Sequence, residues 1–179
     1  MIIKKQNYLK HAIVLFLLLL LMQPERAWAA YENVEFSSLT NHDGLTNSQV
    51  GAILKDTRGY IWFGTQSGLC RFDGFRMKTF YYSNTDDKSL PNNSVDELQQ
   101  DYDGNIWVHT SVGYCIYKYD EEQFERKPEE WLKNIHVQGP PYKLLIDKDK
   151  NMWIAVYGQG LFFHNAKTKN TYLLKKKKK

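Results

Sequence analysis

The sequence predicts an all-β protein made of repeated four-stranded antiparallel blades, and three observations carry that expectation. Aromatic residues reach 15%, with 12 tyrosines, and such a supply of β-formers favours strands over a helical bundle. Turn signals punctuate the chain roughly every 8 to 12 residues, where helical repeats would need pairs of amphipathic helices. One phrase is also written three times, as Asp56-Thr-Arg-Gly59-Tyr-Ile-Trp62-Phe, Asp101-Tyr-Asp-Gly104-Asn-Ile-Trp107-Val and Asp147-Lys-Asp-Lys150-Asn-Met-Trp153-Ile. Trp62, Trp107 and Trp153 therefore recur 45 and 46 residues apart, a period that marks a repeat architecture. With 179 residues, 42% of them apolar, the chain has room for one small module.

Lys4, Lys5 and Lys10 precede an apolar run from Ala12 to Met22 and a polar stretch ending Ala27-Trp28-Ala29. That is the order of a secretory signal over residues 1–29, with small residues before the cleavage point. The run is shorter than the roughly 20 residues a membrane span needs, so an exported protein is expected. Residues 30–174 then hold the blades, near 46–85, 90–127 and 138–174.

In the first blade, Val50, Ala52 and Leu54 alternate with Gly51, Ile53 and Lys55, as a strand should. Asp56 opens a turn by bonding the backbone two residues on, and Gly59 takes positive φ at its fourth position. Asp101 and Gly104 repeat the arrangement, and Lys150 breaks it in the third copy. A second strand follows in each blade, as in Ile61 to Thr65. Gly68-Leu69, Gly113-Tyr114 and Gly160-Leu161 open third strands, and fourth strands are expected over Arg76 to Tyr82, Gln123 to Arg126 and Thr171 to Leu174. One helix, Glu129 to Ile135, lies in a linker. Four strands in about 45 residues is the size of a β-propeller blade, and a tryptophan repeated at one strand position is expected to fill the space between blades. Cys70 and Cys115 fall at equivalent positions of neighbouring blades, too far apart to meet the Cα separation a disulfide needs. Two free, packed thiols are expected.

The strings Asp43-Gly-Leu-Thr-Asn-Ser-Gln-Val50, Ile61-Trp-Phe-Gly-Thr65, Gly68-Leu69, Arg71-Phe-Asp-Gly-Phe75 and Ser89-Leu-Pro-Asn-Asn-Ser-Val95 go further. They resemble the start of the periplasmic sensor region of Bacteroides-type hybrid two-component systems, built from two-component-regulator propeller repeats, over about residues 31–174. The resemblance implies sensing of glycan-derived oligosaccharides, a dimer of the full-length sensor, and partners in the remaining blades and downstream domains of the parent. It also implies that residues 31–40 form a strand closing the last blade of a ring. His109 stands where the first blade has Gly64, and Ala155-Val156 replace its Gly-Thr pair. No kinase residue has a counterpart here, so no catalytic residue is carried over. The tail Lys175 to Lys179 interrupts a strand, as a frameshifted or truncated reading frame would.

The net charge of +4 over 24 basic and 20 acidic residues suggests an anionic partner only at first sight. Four basic residues lie in the signal and five in the tail, which leaves 15 against 19 acidic residues and a body of charge −4. A nucleic-acid partner loses its support. The five histidines are dispersed without metal-ligand spacing, and no phosphate loop, nucleophile elbow or dinucleotide fingerprint is present, so neither metal nor cofactor is expected. Asp86-Asp87, Asp101/Asp103 and Asp147/Asp149 read as turn caps. Sugar recognition calls for aromatic and amide groups on loops at one end of the blades. Asn47, Gln49, Asn92 and Asn93 before first strands, and Gln66, Ser67, Ser111, Tyr157 and Gln159 between second and third strands, are the candidates. Two rival readings accompany the sensor: a secreted propeller enzyme acting on glycans, and a non-functional remnant.

Overall fold

The computed structural model describes residues 36–174, and the predicted signal and the lysine tail lie outside them. One compact unit begins at Ser38. Three antiparallel sheets of four strands follow in chain order: β1 Val50–Lys55, β2 Ile61–Thr65, β3 Gly68–Phe72 and β4 Met77–Phe80; then β5 Val95–Gln100, β6 Ile106–Thr110, β7 Gly113–Lys118 and β8 Gln123–Glu125; then β9 Pro141–Ile146, β10 Met152–Val156, β11 Gly160–His164 and β12 Thr171–Leu174. Each sheet runs in simple up-and-down order, and the three do not close into a ring.

The Asp turns join the first two strands of each blade as expected. Lys150 takes φ +64°, beside +93° at Gly59 and +87° at Gly104. The third turn thus keeps its shape with a side chain in the left-handed region, and Lys150 Nζ donates to the Gln100 carbonyl 3.1 Å away. The strict alternation expected over Val50 to Lys55 is broken. Pairing shifts between Val50 and Ala52, between Val95 and Glu97, and between Pro141 and Lys143. A β-bulge at Gly51, Asp96 and Tyr142 therefore recurs in every blade and re-aims the residues around it. Phe36 to Thr40, the described part of the expected 31–40 strand, carries no strand; Thr40 instead caps a 3₁₀ turn over Asn41–Asp43.

The core lies between blades, since each sheet buries one face against the next. Trp62 and Leu69 pack on Val95, Ile106, Val108, Tyr117 and Phe124 of the second blade. Trp107, Tyr114 and Ile116 pack on Leu144, Met152, Ile154 and Phe162 of the third. The linker helix α1, Pro128–Lys133, starts with proline, carries Glu129 and Glu130 in its first turn and Lys133 in its last, all suited to the helix ends. Its Trp131 meets Trp107 edge-on at 5.3 Å, while Trp62 has Phe80 at 5.8 Å. On the leading side of the first blade, Leu39 and Leu45 cover Phe63 and Cys70. Trp153 is only half-buried, because no sheet among the described residues lies beyond it. Cys70 and Cys115 are free and buried in separate clusters.

Candidate ligand-binding face

Antiparallel order places the loops entering each blade and the loops between its second and third strands at one end. The candidates there bond both within their own loops and to neighbouring ones. Asn47 accepts from the Gln49 amide at 2.7 Å and donates to Ser67 Oγ at 2.9 Å. Asn92 accepts from the Ser94 amide at 2.8 Å, and Asn93 from the Tyr82 amide at 2.7 Å. The bonds of Asn47 to Gln49 and of Asn92 to Ser94 are Asx-type turns that shape the backbone, while Asn93 ties its loop to Tyr82 at the end of the first blade. Gln66 reaches the neighbouring blade, its Oε1 accepting from Ser94 Oγ at 2.9 Å, and the exposed Ser111 donates its amide to the Ser94 carbonyl. Asn47, Gln66, Asn92, Asn93 and Ser111 thus share one hydrogen-bonded rim over the first two blades. Gln159 ties to the Gln138 carbonyl on the third blade, where the Tyr157 ring is 91% exposed.

The repeated aspartates do more than cap. Asp56, Asp101 and Asp147 each accept two turn amides on one oxygen, and with the other accept the indole N–H six residues on, at 2.7, 2.9 and 3.4 Å. The constant Asp-to-Trp spacing was the available signal for this clasp.

A polar seam between the second and third blades escapes a reading based on loops. At the positions of Gly51, Ala52, Gly64 and Leu69, the second blade carries Asp96, Glu97, His109 and Tyr114. In the first blade these positions form a close contact: a Cβ on Gly64 would stand 2.7 Å from Val95 Cγ1, and one on Gly51 3.2 Å from the Val95 carbonyl oxygen. In the second blade His109 Nδ1–H donates to Asp96 at 2.6 Å with the Tyr114 ring 4.4 Å from the imidazole. Tyr114 donates to Glu97 at 3.0 Å and accepts the Leu144 amide at 3.1 Å. Burial, with Glu97 close by, pushes the Tyr114 phenol far above its ordinary value, so it stays a donor. Glu97 also pairs with Lys143 of the third blade. The signal for this seam was His109 in the place of Gly64. A groove of about 330 Å³ runs across the inner strands beside it, lined by Ile53, Glu97, Gln99, Lys143 and Leu145 among others. Among the described residues no group of three or more His, Cys, Asp or Glu side chains is placed to hold a metal, and no helix is long and apolar enough to cross a membrane.

Residues 44–67 and 89–112 match the two component regulator propeller family. A 61-residue stretch is 41% identical to Histidine kinase P4 of Formosa agariphila, covering 34% of this chain and 4% of that protein. Among solved structures, the extracellular domain of B. thetaiotaomicron BT3049, assigned to the hybrid two component systems, superposes with a TM-score of 0.55 at 23% identity, over 77% of this chain and 20% of that one. That of BT4673 is 18% identical with a TM-score of 0.43, over 78% and 27% of the respective chains. The chain spans a small part of each relative. The two matched repeats fall in the first two of the three four-stranded blades that the described residues form.

Proposed function

We propose that this chain is the ligand-sensing, extracytoplasmic part of a two-component sensor, and that its ligand is a glycan-derived oligosaccharide. The observation that carries the reading is the pair of regulator-propeller repeats at 44–67 and 89–112, set in blades whose loops gather amides and hydroxyls at one end. The basic, apolar and small-residue order of residues 1–29 supports export. Signalling follows from ligand contact that shifts a pre-existing equilibrium, which requires different affinity for two states. In this reading the chain binds and does not turn over its ligand, and further blades and the kinase belong to a longer parent that acts as a dimer.

The test is calorimetric titration of the full chain with hexasaccharides of cellulose, xylan, mannan, polygalacturonate and polymannuronate, followed by chromatography of the recovered sugar. Saturable binding with the sugar returned intact supports the sensor. Release of shorter products would replace it with the glycan-cleaving enzyme, and no binding at millimolar sugar would remove the oligosaccharide from the proposal.

A further inference from the structure

We infer that the seam between the second and third blades is a proton-sensitive joint, closed while the His164 imidazole is neutral and released when it is charged. The first seam shows the same place with its buried group satisfied. Phe72, Tyr117 and His164 each stand four residues into the third strand of their blade, and the Tyr117 hydroxyl accepts a bond from Arg71 Nη1 of the first blade at 3.1 Å. In the second seam His164 takes the place of Tyr117, and Ile116 that of Arg71. His164 is the one buried histidine among the described residues. Its Nδ1 lies 2.8 Å from Thr171 Oγ1, and its Nε2 has no partner among the described residues.

A neutral ring suits this place and a charged one does not. The imidazolium carries an N–H on both nitrogens, of which Thr171 can accept one. The second blade offers no acceptor for the other: the Tyr102 ring of the β5–β6 turn lies 5.5 Å away, and Lys169 of the β11–β12 turn sets its ammonium 3.2 Å over that ring. Lys169 acts against a proton on His164 and Asp103, on the same turn as Tyr102, acts in favour of one, with burial outweighing both. Asp103 is exposed, and no carboxylate among the described residues bonds the ring. Opening the seam lets the imidazole meet water at its ordinary value of 6.5. The open form therefore takes up the proton first, and closure, strongest above pH 6.5, weakens as pH falls below it.

Amide exchange of the full chain, corrected for the intrinsic rate at each pH, reads the joint. The Leu144 and Ile146 amides donate across the second seam, to Tyr114 and Gln99, and the Thr57 amide across the first, to Gln100. Expected between pH 7.5 and 5.0 is a several-fold loss of protection at Leu144 and Ile146, capped at about thirtyfold by the interval from 6.5 to 5.0, with Thr57 unchanged. His164→Asn should abolish the loss. Lys169→Gln should reduce it and Asp103→Asn enlarge it, opposite shifts that a purely packing role does not produce and that carry the test if His164→Asn fails to fold. Loss retained in folded His164→Asn assigns the response to His109, paired with Asp96 at the other end of the seam, and overturns the joint. Equal loss at Thr57, or a His164 ring that titrates by NMR at or above 6.5, overturns it as well.

Discussion

A buried indole N–H needs an acceptor, and the aspartate six residues earlier provides it in every blade. Trp107 is fully buried, so Asp101→Ala strands its N–H together with two turn amides. The expected loss is on the order of 3 kcal/mol in urea unfolding. Asp147→Ala faces a half-buried Trp153 that water can reach, and about 1 kcal/mol or less is expected there. Equal losses would show that the clasp works through the turn alone. His164 poses the opposite problem. It is fully buried, Nδ1 bonds Thr171 Oγ1 at 2.8 Å, and Nε2 has no partner. Burial foremost, with Lys169 adding and Asp103 opposing, holds its pKa below the ordinary 6.5. The unfolded chain then binds the proton first, so stability present above pH 6.5 declines as pH falls below it. Unfolding midpoints between pH 7.5 and 5 should drop for the wild type and stay flatter for His164→Asn.

At the level of strands and seams, the two interfaces are joined differently. The first relies on close approach, and Gly64→Ala should cost about 1–3 kcal/mol, because its methyl meets Val95 at 2.7 Å; a simultaneous Val95→Ala should recover part of that loss. In the second, Gln99 donates to the Leu144 carbonyl and accepts the Ile146 amide, while Tyr114 accepts the Leu144 amide. Side chains of one blade thus take the place of a paired strand along the free edge of β9. Gln99→Leu, the residue the first blade has as Leu54, should speed hydrogen exchange at Ile146, and Tyr114→Phe at Leu144; unchanged exchange would mean these bonds are not what protects the edge. The strands, Asp turns and linker helix were legible in the sequence because they are set by local periodicity and turn chemistry. The bulge at Gly51, Asp96 and Tyr142 was hidden, since an extra residue leaves no mark on composition. Gln99 and Tyr114 were hidden for another reason: their partners lie 47 and 30 residues away and no other blade repeats them. Of the candidate loop residues, the amides Asn47 and Asn92 proved to have local turn bonds that their sequence positions already allowed, while Asn93 bonds to Tyr82 eleven residues earlier.

At the scale of the whole molecule, one blade face stands open among the described residues. Register places Leu145, Trp153, Leu161, Phe163, Tyr172 and Leu174 on the side of the third blade turned away from the second, matching the side that Trp62 and Trp107 bury. Tyr172 and Leu174 are about half exposed, at 52% and 47%, and a patch of this kind invites association. The 179-residue chain should therefore self-associate with rising concentration in sedimentation velocity, and Leu161→Lys with Leu174→Lys should return it to monomer; a wild-type monomer at all concentrations would show the patch to be inert. Stitching across single repeats also bears on how the chain acquires its structure. Its seam bonds reach over about one period, 43 residues from Thr57 to Gln100, 46 from Arg71 to Tyr117 and 47 from Gln99 to Ile146, and among the described residues none ties the first blade directly to the third. Folding can then start in any blade and spread by nearest-neighbour docking. The middle blade, the only one of the three with a neighbour on both sides, becomes the last to open and the natural nucleus from which the others zip.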